Sequence, residues 1–150
     1  HGYVPSVRVL SSAEERADSP TREALGLERE EAVLVIEKVF LEDEAPVMLT
    51  VNRIPARIVS DAEYENDEAM PVYEFLEDHC DRTLGYYLSE IIPVSLDAVT
   101  AEKLGVEAGT LAISFDEIGF DQNNEPIVRA TSYFRDDLLR FRLIRRKSGA

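Results

Sequence analysis

Hydrophobic and polar positions alternate along this chain in two similar halves. Residues 25–53 and 104–135 each begin with Leu-Gly, enter an apolar stretch, cross a polar turn to a proline and end in a second apolar stretch. Leu25 and Leu104 are offset by 79 positions, and Pro46 and Pro126 by 80. A helix that ends at glycine and is followed by a hairpin explains each half. We therefore predict a duplicated architecture with a ligand-binding cleft between the halves.

The same pattern predicts the individual elements. Ser19-Pro20 is typical of a helix N-cap followed by proline at the first helical position. In chain order we predict a strand, or a linker that becomes one, at 3–11, a helix from Ser19 to Gly26, strands at 32–41 and 46–54, and a helix from Met70-Pro71 to about Cys80. A strand at 84–96, broken or bent near Pro93, a helix at 98–104, strands at 111–120 and 126–135, and a last strand or strand extension at 139–146 complete the prediction. Antiparallel pairing of these strands gives an α+β fold. It has one sheet of about six strands, built from two strand-helix-strand-strand halves with an extra helix between them.

Composition and charge narrow the possible functions. A chain of 150 residues predicts one domain, 1–150, and its net charge of −14 argues against direct binding to nucleic acid. The basic cluster at 140–147 is most simply a solvated strand end. Because the chain starts at His1-Gly2 without methionine, we interpret it as part of a longer protein. The single cysteine, Cys80, excludes an internal disulfide and fits a reducing cytoplasm, and no stretch predicts a membrane span or a signal peptide.

Catalytic motifs do not stand out. The sequence contains no nucleophile elbow, phosphate-binding loop, dinucleotide fingerprint or zinc-ligand spacing, so we expect no cofactor and no metal site. Asp116 and Glu117 fall within one predicted strand, where one of them should face inward. Such a carboxylate can act as an acid or base, or pair with Arg129 or Lys38 across the sheet. We favour the structural pairing.

A binding pocket is better supported than an active site. Lys38 lies within an apolar, β-branched strand, where a cation needs a partner or a ligand. Residues two apart on a strand share a face, which groups Lys38 with Phe40, Thr50 with Asn52, and Val128 with Ser132 and Phe134. Two adjacent tyrosines begin the middle strand and each offers a ring and a hydroxyl. The candidate ligand-binding residues are Lys38, Phe40, Thr50, Tyr86, Tyr87, Val128, Ser132 and Phe134.

A known family shows the same order of motifs. The segments IEKVFLEDEAPVMLTVNRIP, VYEFLED and KLGVEAGTLAISFDEIGFDQNNEPIVRATSYFRDDLLRFRL together resemble the UTRA domain, the effector-binding domain of HutC-type GntR transcriptional regulators. The resemblance extends from Val7 to about Leu143. It implies a chorismate-lyase-like fold, a small-molecule effector and a homodimer. It also implies that DNA is contacted only through a winged helix-turn-helix domain that precedes the UTRA domain and is absent from these 150 residues.

The resemblance also points to the type of ligand. Family members that sense phosphorylated amino sugars use two arginines at the positions of Lys38 and Phe40. Their two glutamates match Thr50 and Val128, and a tyrosine matches Phe134. Because a lysine lacks the bidentate geometry of a guanidinium, we expect an effector less polar than a sugar phosphate. A carboxylate with an apolar body, its anion bound by Lys38, fits this expectation.

Two alternatives stay open at this point. The fold implied by the resemblance is shared with a lyase, so an enzyme acting on a small carboxylate, with Lys38, Arg129 and Glu117 at its centre, is the second hypothesis. A pure oligomerisation module without a ligand is the third.

Overall fold

The computed structural model describes residues 5–60, 63–135 and 142–147. Within them the chain forms, in order, β1 (Pro5–Arg16), α1 (Ser19–Leu25), β2 (Ala32–Glu42), β3 (Ala45–Pro55), α2 (Val72–Cys80), β4 (Leu84–Ser95), α3 (Ala98–Lys103), β5 (Leu111–Asp121) and β6 (Pro126–Arg135). A short 3-10 turn, Ala56–Ile58, follows β3. Every helix in the described part of the chain is too short or too polar to span a membrane.

The six strands form one antiparallel sheet in the order β1-β2-β3-β6-β5-β4. The first half of the chain supplies β1, β2 and β3, the second half supplies β4, β5 and β6, and the halves meet where β3 pairs with β6. The α+β class, the strand number and the two strand-helix-strand-strand halves predicted from the sequence are thus confirmed. Helix α2 is the extra element between the halves.

The helices cover the two faces of the sheet unequally. Helix α2 packs through Phe75 and Leu76 on one face, over a core that includes Ile54 and Val128. Helices α1 and α3 lie on the opposite face, where Leu25 and Leu104 are buried in two smaller clusters. This division leaves part of the α2 face next to the N-terminus of α2 free of a covering helix.

Turn chemistry fixes the two hairpins. Asp43 and Glu44 both have positive φ, at 50° and 67°, as a two-residue hairpin turn requires. In the second hairpin the Asp121 carboxylate accepts the backbone N–H groups of Asn123 and Glu125 at 2.8 and 2.9 Å, and Asn124 takes the left-handed conformation. Both turns coincide with the polar segments that the sequence pattern predicted.

Local details differ from the predictions in four places. The N-cap of α1 is Asp18 rather than Ser19, because the Asp18 carboxylate accepts the Thr21 N–H at 3.0 Å. Strand β1 continues to Arg16 instead of ending at residue 11, since it pairs with β2 up to Arg16 with one irregularity at Leu10, and residues 3–4 of the predicted strand lie outside the described residues. Strand β4 passes through Pro93 in continuous pairing and is irregular at Gly85 instead. Residues 142–147 form no strand, and the preceding part of the predicted last strand lies outside the described residues.

Candidate functional site

A cavity of about 340 Å³ lies on the α2 face of the sheet, beside the start of α2, and crosses the junction of the two halves. Its volume is in the range of small-molecule sites. Apolar side chains form most of its wall, among them Val7, Phe40, Met48, Pro71, Val72 and Ala130. Its polar lining consists of Lys38, Thr50, Asn52, Tyr87, Glu117 and Ser132. A largely apolar wall with a few polar groups is typical of a ligand pocket.

Strand register explains why these polar residues converge. Lys38 on β2 pairs with Thr50 on β3, and Thr50 pairs with Ser132 on β6, so the three form one row across the sheet. Asn52 and Glu117 belong to the neighbouring row, joined through Ala130. Directly paired residues of antiparallel strands point to the same face. The floor of the cavity is therefore made by four adjacent strands drawn from both halves.

Lys38 is the least expected of these side chains. It is 4% exposed, and its ammonium group donates to the Met70 carbonyl oxygen at 2.9 Å. Within the described part of the chain no carboxylate lies within ion-pair distance of Lys38, and burial lowers the pKa of its ammonium group. An ammonium has three donors, and one neutral acceptor compensates little of the cost of burying it. Lys38 is thus a buried cation with donors available to an anion.

The centre of the floor offers neutral polar groups. The hydroxyls of Thr50 and Ser132 are 3.4 Å apart, at the long limit of a hydrogen bond. The Asn52 side chain is 3% exposed, yet among the described residues none forms a hydrogen bond to its amide. Buried amides are normally paired. Asn52 therefore presents a donor and an acceptor to whatever occupies the cavity.

A carboxylate stands at the other end of the floor. Glu117 lines the cavity from β5 and accepts a hydrogen bond from the Ser89 hydroxyl on β4. Tyr87 lies beside it, and burial, together with the negative charge of Glu117, raises the pKa of the Tyr87 hydroxyl to about 12. The Tyr87 hydroxyl is thus protonated at neutral pH and available as a donor.

Residues 64–72 form a roof over the Lys38 end of the cavity. The Asp67 carboxylate meets His79 Nε2 on α2 at 2.8 Å, and the Tyr64 ring packs edge-on against Phe75 with centroids 5.9 Å apart. The Met70 carbonyl that accepts from Lys38 belongs to the same segment, whose last residues, Pro71 and Val72, line the cavity. The roof is therefore joined both to α2 and to the floor.

The structure brings together five of the eight candidate residues predicted from the sequence: Lys38, Phe40, Thr50, Tyr87 and Ser132 line this cavity. Tyr86 lies on the opposite face, stacked on Phe120 at 5.0 Å and donating to Asn124. Val128 is fully buried beneath α2. Phe134 shares the cavity's face but contacts Phe115 instead, with ring centroids 5.2 Å apart.

The physical reasons for these three placements are simple. Tyr86 and Tyr87 are consecutive strand residues, so only one of them can face the cavity. Val128 does face the α2 side, but α2 itself covers that end of β6. Asn52 and Glu117 are the polar cavity residues that the predicted set lacked. Period-2 alternation already placed Asn52 beside Thr50, whereas Glu117 required the β5–β6 register.

The three residues suggested for an enzyme, Lys38, Arg129 and Glu117, are not brought together in one site. Arg129 lies on the α1 face, where its guanidinium binds the Asp116 carboxylate at 3.1 and 3.2 Å and Thr21 at 3.0 Å. Asp116, not Glu117, is its partner, so Arg129 stabilises the fold and is separated from Lys38 by the sheet. The described residues also contain no cluster of His, Cys, Asp and Glu side chains able to hold a metal ion.

Solved structures of this shape are effector domains and regulators. The effector domain of PhnF from Mycobacterium smegmatis matches with a TM-score of 0.84 at 21% identity, covering 97% of this chain and 90% of that one. A GntR-family transcriptional regulator from Enterococcus faecalis matches with a TM-score of 0.82 at 22% identity, over 93% and 100% of the two chains. In the longer PhnF chain of M. smegmatis, the match covers 98% of this chain and 65% of PhnF, with a TM-score of 0.82 at 21% identity. At these identities the likeness concerns the fold.

The family is given by the sequence. No curated protein was found to be similar to this chain. The model of the UTRA domain matches residues 1–140, which is nearly the whole length. This chain belongs to the UTRA domain family.

Proposed function

We propose that this chain is the sensor domain of a bacterial GntR regulator of the HutC type, and that its cavity binds a small anionic effector. Effector binding controls DNA binding by a winged helix-turn-helix domain of the same cytoplasmic regulator. The UTRA family match and the fold shared with GntR-family effector domains support the regulatory role. The net charge of −14 agrees with a domain that does not itself contact DNA.

One observation carries the ligand class: Lys38 is a buried ammonium whose hydrogen-bond acceptor, among the described residues, is a neutral carbonyl. An anionic ligand group supplies the missing compensation through a charge-assisted hydrogen bond. The largely apolar wall favours a ligand whose body has little polarity. Lys38 lacks the bidentate hydrogen-bonding geometry with which a guanidinium binds phosphate. The ligand-binding residues of this proposal are Lys38, Phe40, Thr50, Tyr87 and Ser132 from the predicted set, with Asn52 added by the structure.

A thermal-shift screen of organic and fatty acids against sugar phosphates tests this assignment. We expect carboxylates with apolar bodies to raise the melting temperature more than sugar phosphates do. Lys38→Met keeps the apolar stem and removes the charge, so it should weaken carboxylate binding by roughly tenfold or more. Lys103→Met is the matched control, because Lys103 pairs with Glu37 on the opposite face. A clear preference for sugar phosphates, or unchanged affinity in Lys38→Met, would contradict the proposal.

Homodimerisation is the second part of the proposal. Strand β4 is an edge of the sheet, and Leu88, Ile91 and Ile92 on it are exposed. An edge strand that pairs with its own copy in antiparallel orientation produces a closed two-fold dimer. The apolar side chains of β4 make it the better candidate of the two edges.

The enzyme alternative has its own direct test. Incubation of the domain with chorismate, followed by assay of pyruvate, should yield no product above the uncatalysed background. Arg129 is on the far side of the sheet from Lys38 and Glu117, so the cationic anchors needed for two carboxylates are not gathered in one place.

A further inference from the structure

The cavity floor is electrically asymmetric. Lys38 supplies the positive charge at its β2 end, and Glu117 supplies a carboxylate at its β5 end. Within the described residues neither side chain has an ion-pair partner, and the two are separated by β3 and β6. Three strand spacings and two residues along the strand put their backbones roughly 16 Å apart, and their charged groups do not pair with each other.

Each charge needs a partner once a ligand expels water. Glu117 accepts from Ser89, but a carboxylate has about four acceptor positions. A ligand with an apolar tail would cover Glu117 without replacing the lost water contacts, which is costly for a charged group. A second carboxylate would be repelled. A ligand amine or other cationic donor is the chemical group that satisfies this end.

Between its two charged ends, the floor offers a ligand the side-chain amide of Asn52. Asn52 is buried and lies in the same row as Glu117, two residues from Thr50 along β3. Its amide lacks a hydrogen-bond partner among the described residues. It can bind one carbonyl, amide or hydroxyl between the two ends, while Phe40, Met48 and Ala130 cover the rest with apolar surface.

From this arrangement we propose that Glu117 is a specificity-determining residue that selects zwitterionic effectors. The effector class is a carboxylate joined to a cationic donor by an apolar chain that crosses the floor from its β2 end to its β5 end. The carboxylate binds Lys38 and the cation binds Glu117. This inference rests on the proposed function, in which Lys38 binds the anion, and adds the opposite end of the ligand.

Three straight-chain probes with the same number of carbon atoms test it. Isothermal titration of the domain would compare 8-aminooctanoate, octanoate and octanedioate, which differ only in the group at the far end. We expect 8-aminooctanoate to bind at least about tenfold more tightly than octanoate, and octanedioate to bind most weakly.

Variants separate this inference from the proposed function. Glu117→Gln should remove the preference for 8-aminooctanoate over octanoate and leave octanoate binding unchanged or stronger, whereas Lys38→Met should weaken both. Glu90→Gln is the matched control, since Glu90 is an exposed carboxylate on the neighbouring strand. Circular dichroism would establish that each variant is folded.

Two results would overturn the inference in different ways. Equal binding of octanoate and 8-aminooctanoate, both dependent on Lys38, would remove Glu117 from ligand selection and leave the proposed function intact. Binding of all three probes that does not depend on Lys38 would overturn the proposed function and, with it, this extension.

Discussion

At the scale of single residues, Lys38 affects both the stability of the domain and the ligand binding proposed for the cavity. Its pKa is lowered by burial, and its one hydrogen-bond acceptor in the described part of the chain is the neutral Met70 carbonyl. The ligand-free domain therefore carries an electrostatic penalty, which the anionic effector proposed above would remove. Such a residue favours binding over stability, as functional sites often do.

Lys38→Met should consequently have opposite effects on stability and on binding. We expect the free energy of unfolding of the ligand-free domain to stay constant or increase, by up to about 1 kcal/mol, while anion binding weakens. Urea denaturation with and without a bound carboxylate measures both quantities. A large loss of ligand-free stability would mean that the Met70 hydrogen bond outweighs the cost of burying the charge.

The lowered pKa of Lys38 also gives a direction to its pH dependence. The unfolded chain keeps its lysine protonated up to about the ordinary value of 10.5, so between the lowered folded pKa and 10.5 the unfolded state binds more protons. The wild-type stability contribution from this group therefore rises with pH in that window, and Lys38→Met should lack the rise. Carboxylate affinity should fall as pH increases through the folded pKa, because the ammonium loses its charge.

The cap of α1 offers a second test at this scale. Hydrogen bonds from Thr21 hold the pKa of Asp18 below its ordinary value of 3.8, and the bond from the Thr21 side chain has the largest effect. Burial acts in the opposite direction and raises the pKa. Asp18→Ala should cost about 1 kcal/mol at neutral pH, and Ser19→Ala is the matched control at the position that the sequence pattern alone suggested. The stability from Asp18 is present above its unfolded pKa and is lost as pH falls through the lower folded pKa. Urea denaturation at neutral and strongly acidic pH should show the difference between the variants disappearing in acid; an equal cost for both at neutral pH would refute the cap assignment.

At the scale of elements, the close approach of β4, β5 and β6 depends on a glycine. A Cβ added to Gly119 would lie 2.6 Å from Val128 Cγ1 and 2.8 Å from Leu84 Cδ1. Gly119 does not have positive φ, so its role is to leave space rather than to permit an unusual backbone. That space allows Tyr87, whose ring carbon would be 3.1 Å from the same Cβ, to reach the cavity.

Gly119→Ala should therefore destabilise the domain by about 1–3 kcal/mol through overpacking. Val128→Ala alone should also destabilise it, because it leaves a void beneath α2. Combined, the two changes should cost less than the sum of their separate effects, since the smaller side chain makes room for the new methyl group. A double-mutant cycle of thermal unfolding measures this coupling; strictly additive costs would show that Val128 is not what limits the space.

At the scale of the whole molecule, the two halves contribute different parts of one cavity. The first half supplies Lys38 and the hydroxyl of Thr50, and the second half supplies Ser132 and Glu117. The junction β3–β6 joins them, so neither half contains the site alone. A ligand that contacts both ends bridges the halves, which gives effector binding a route to change their relative position.

The exposed edge leads to a prediction about assembly. Leu88 and Ile91 on β4 are 60% and 53% exposed, and they project from opposite faces of the strand. Replacing both with lysine should convert the proposed dimer into a monomer, as measured by light scattering after size-exclusion chromatography. Val99→Lys on α3 is the matched control, because Val99 is 62% exposed but lies away from the edge. An unchanged mass in the double variant would place the interface elsewhere.

The amino-acid sequence by itself determined the class of fold and the repeat. Alternation sets which residues share a strand face, and Gly26, Pro46 and Pro126 mark ends and turns through local backbone chemistry. The same local rules singled out Lys38 as a cation in an apolar strand and grouped Thr50 with Asn52. These inferences need only neighbours in sequence, so they could be made before any strand was paired.

Only the tertiary structure decided which strand faces line the cavity and which residues of neighbouring strands are paired. The pairing of β5 with β6 put Glu117 in the cavity and Asp116 against Arg129 on the other face of the sheet. Alternation alone does not decide which of the two carboxylates faces the cavity, because both faces of β5 are partly apolar. The irregularity at Gly85 and the strand period sent Tyr86 outward and Tyr87 inward. The position of α2 covered Val128, while the roof at 64–72 closed over Lys38. A cavity made from both halves depends on contacts between residues distant in sequence, and such contacts are set by packing of the whole chain.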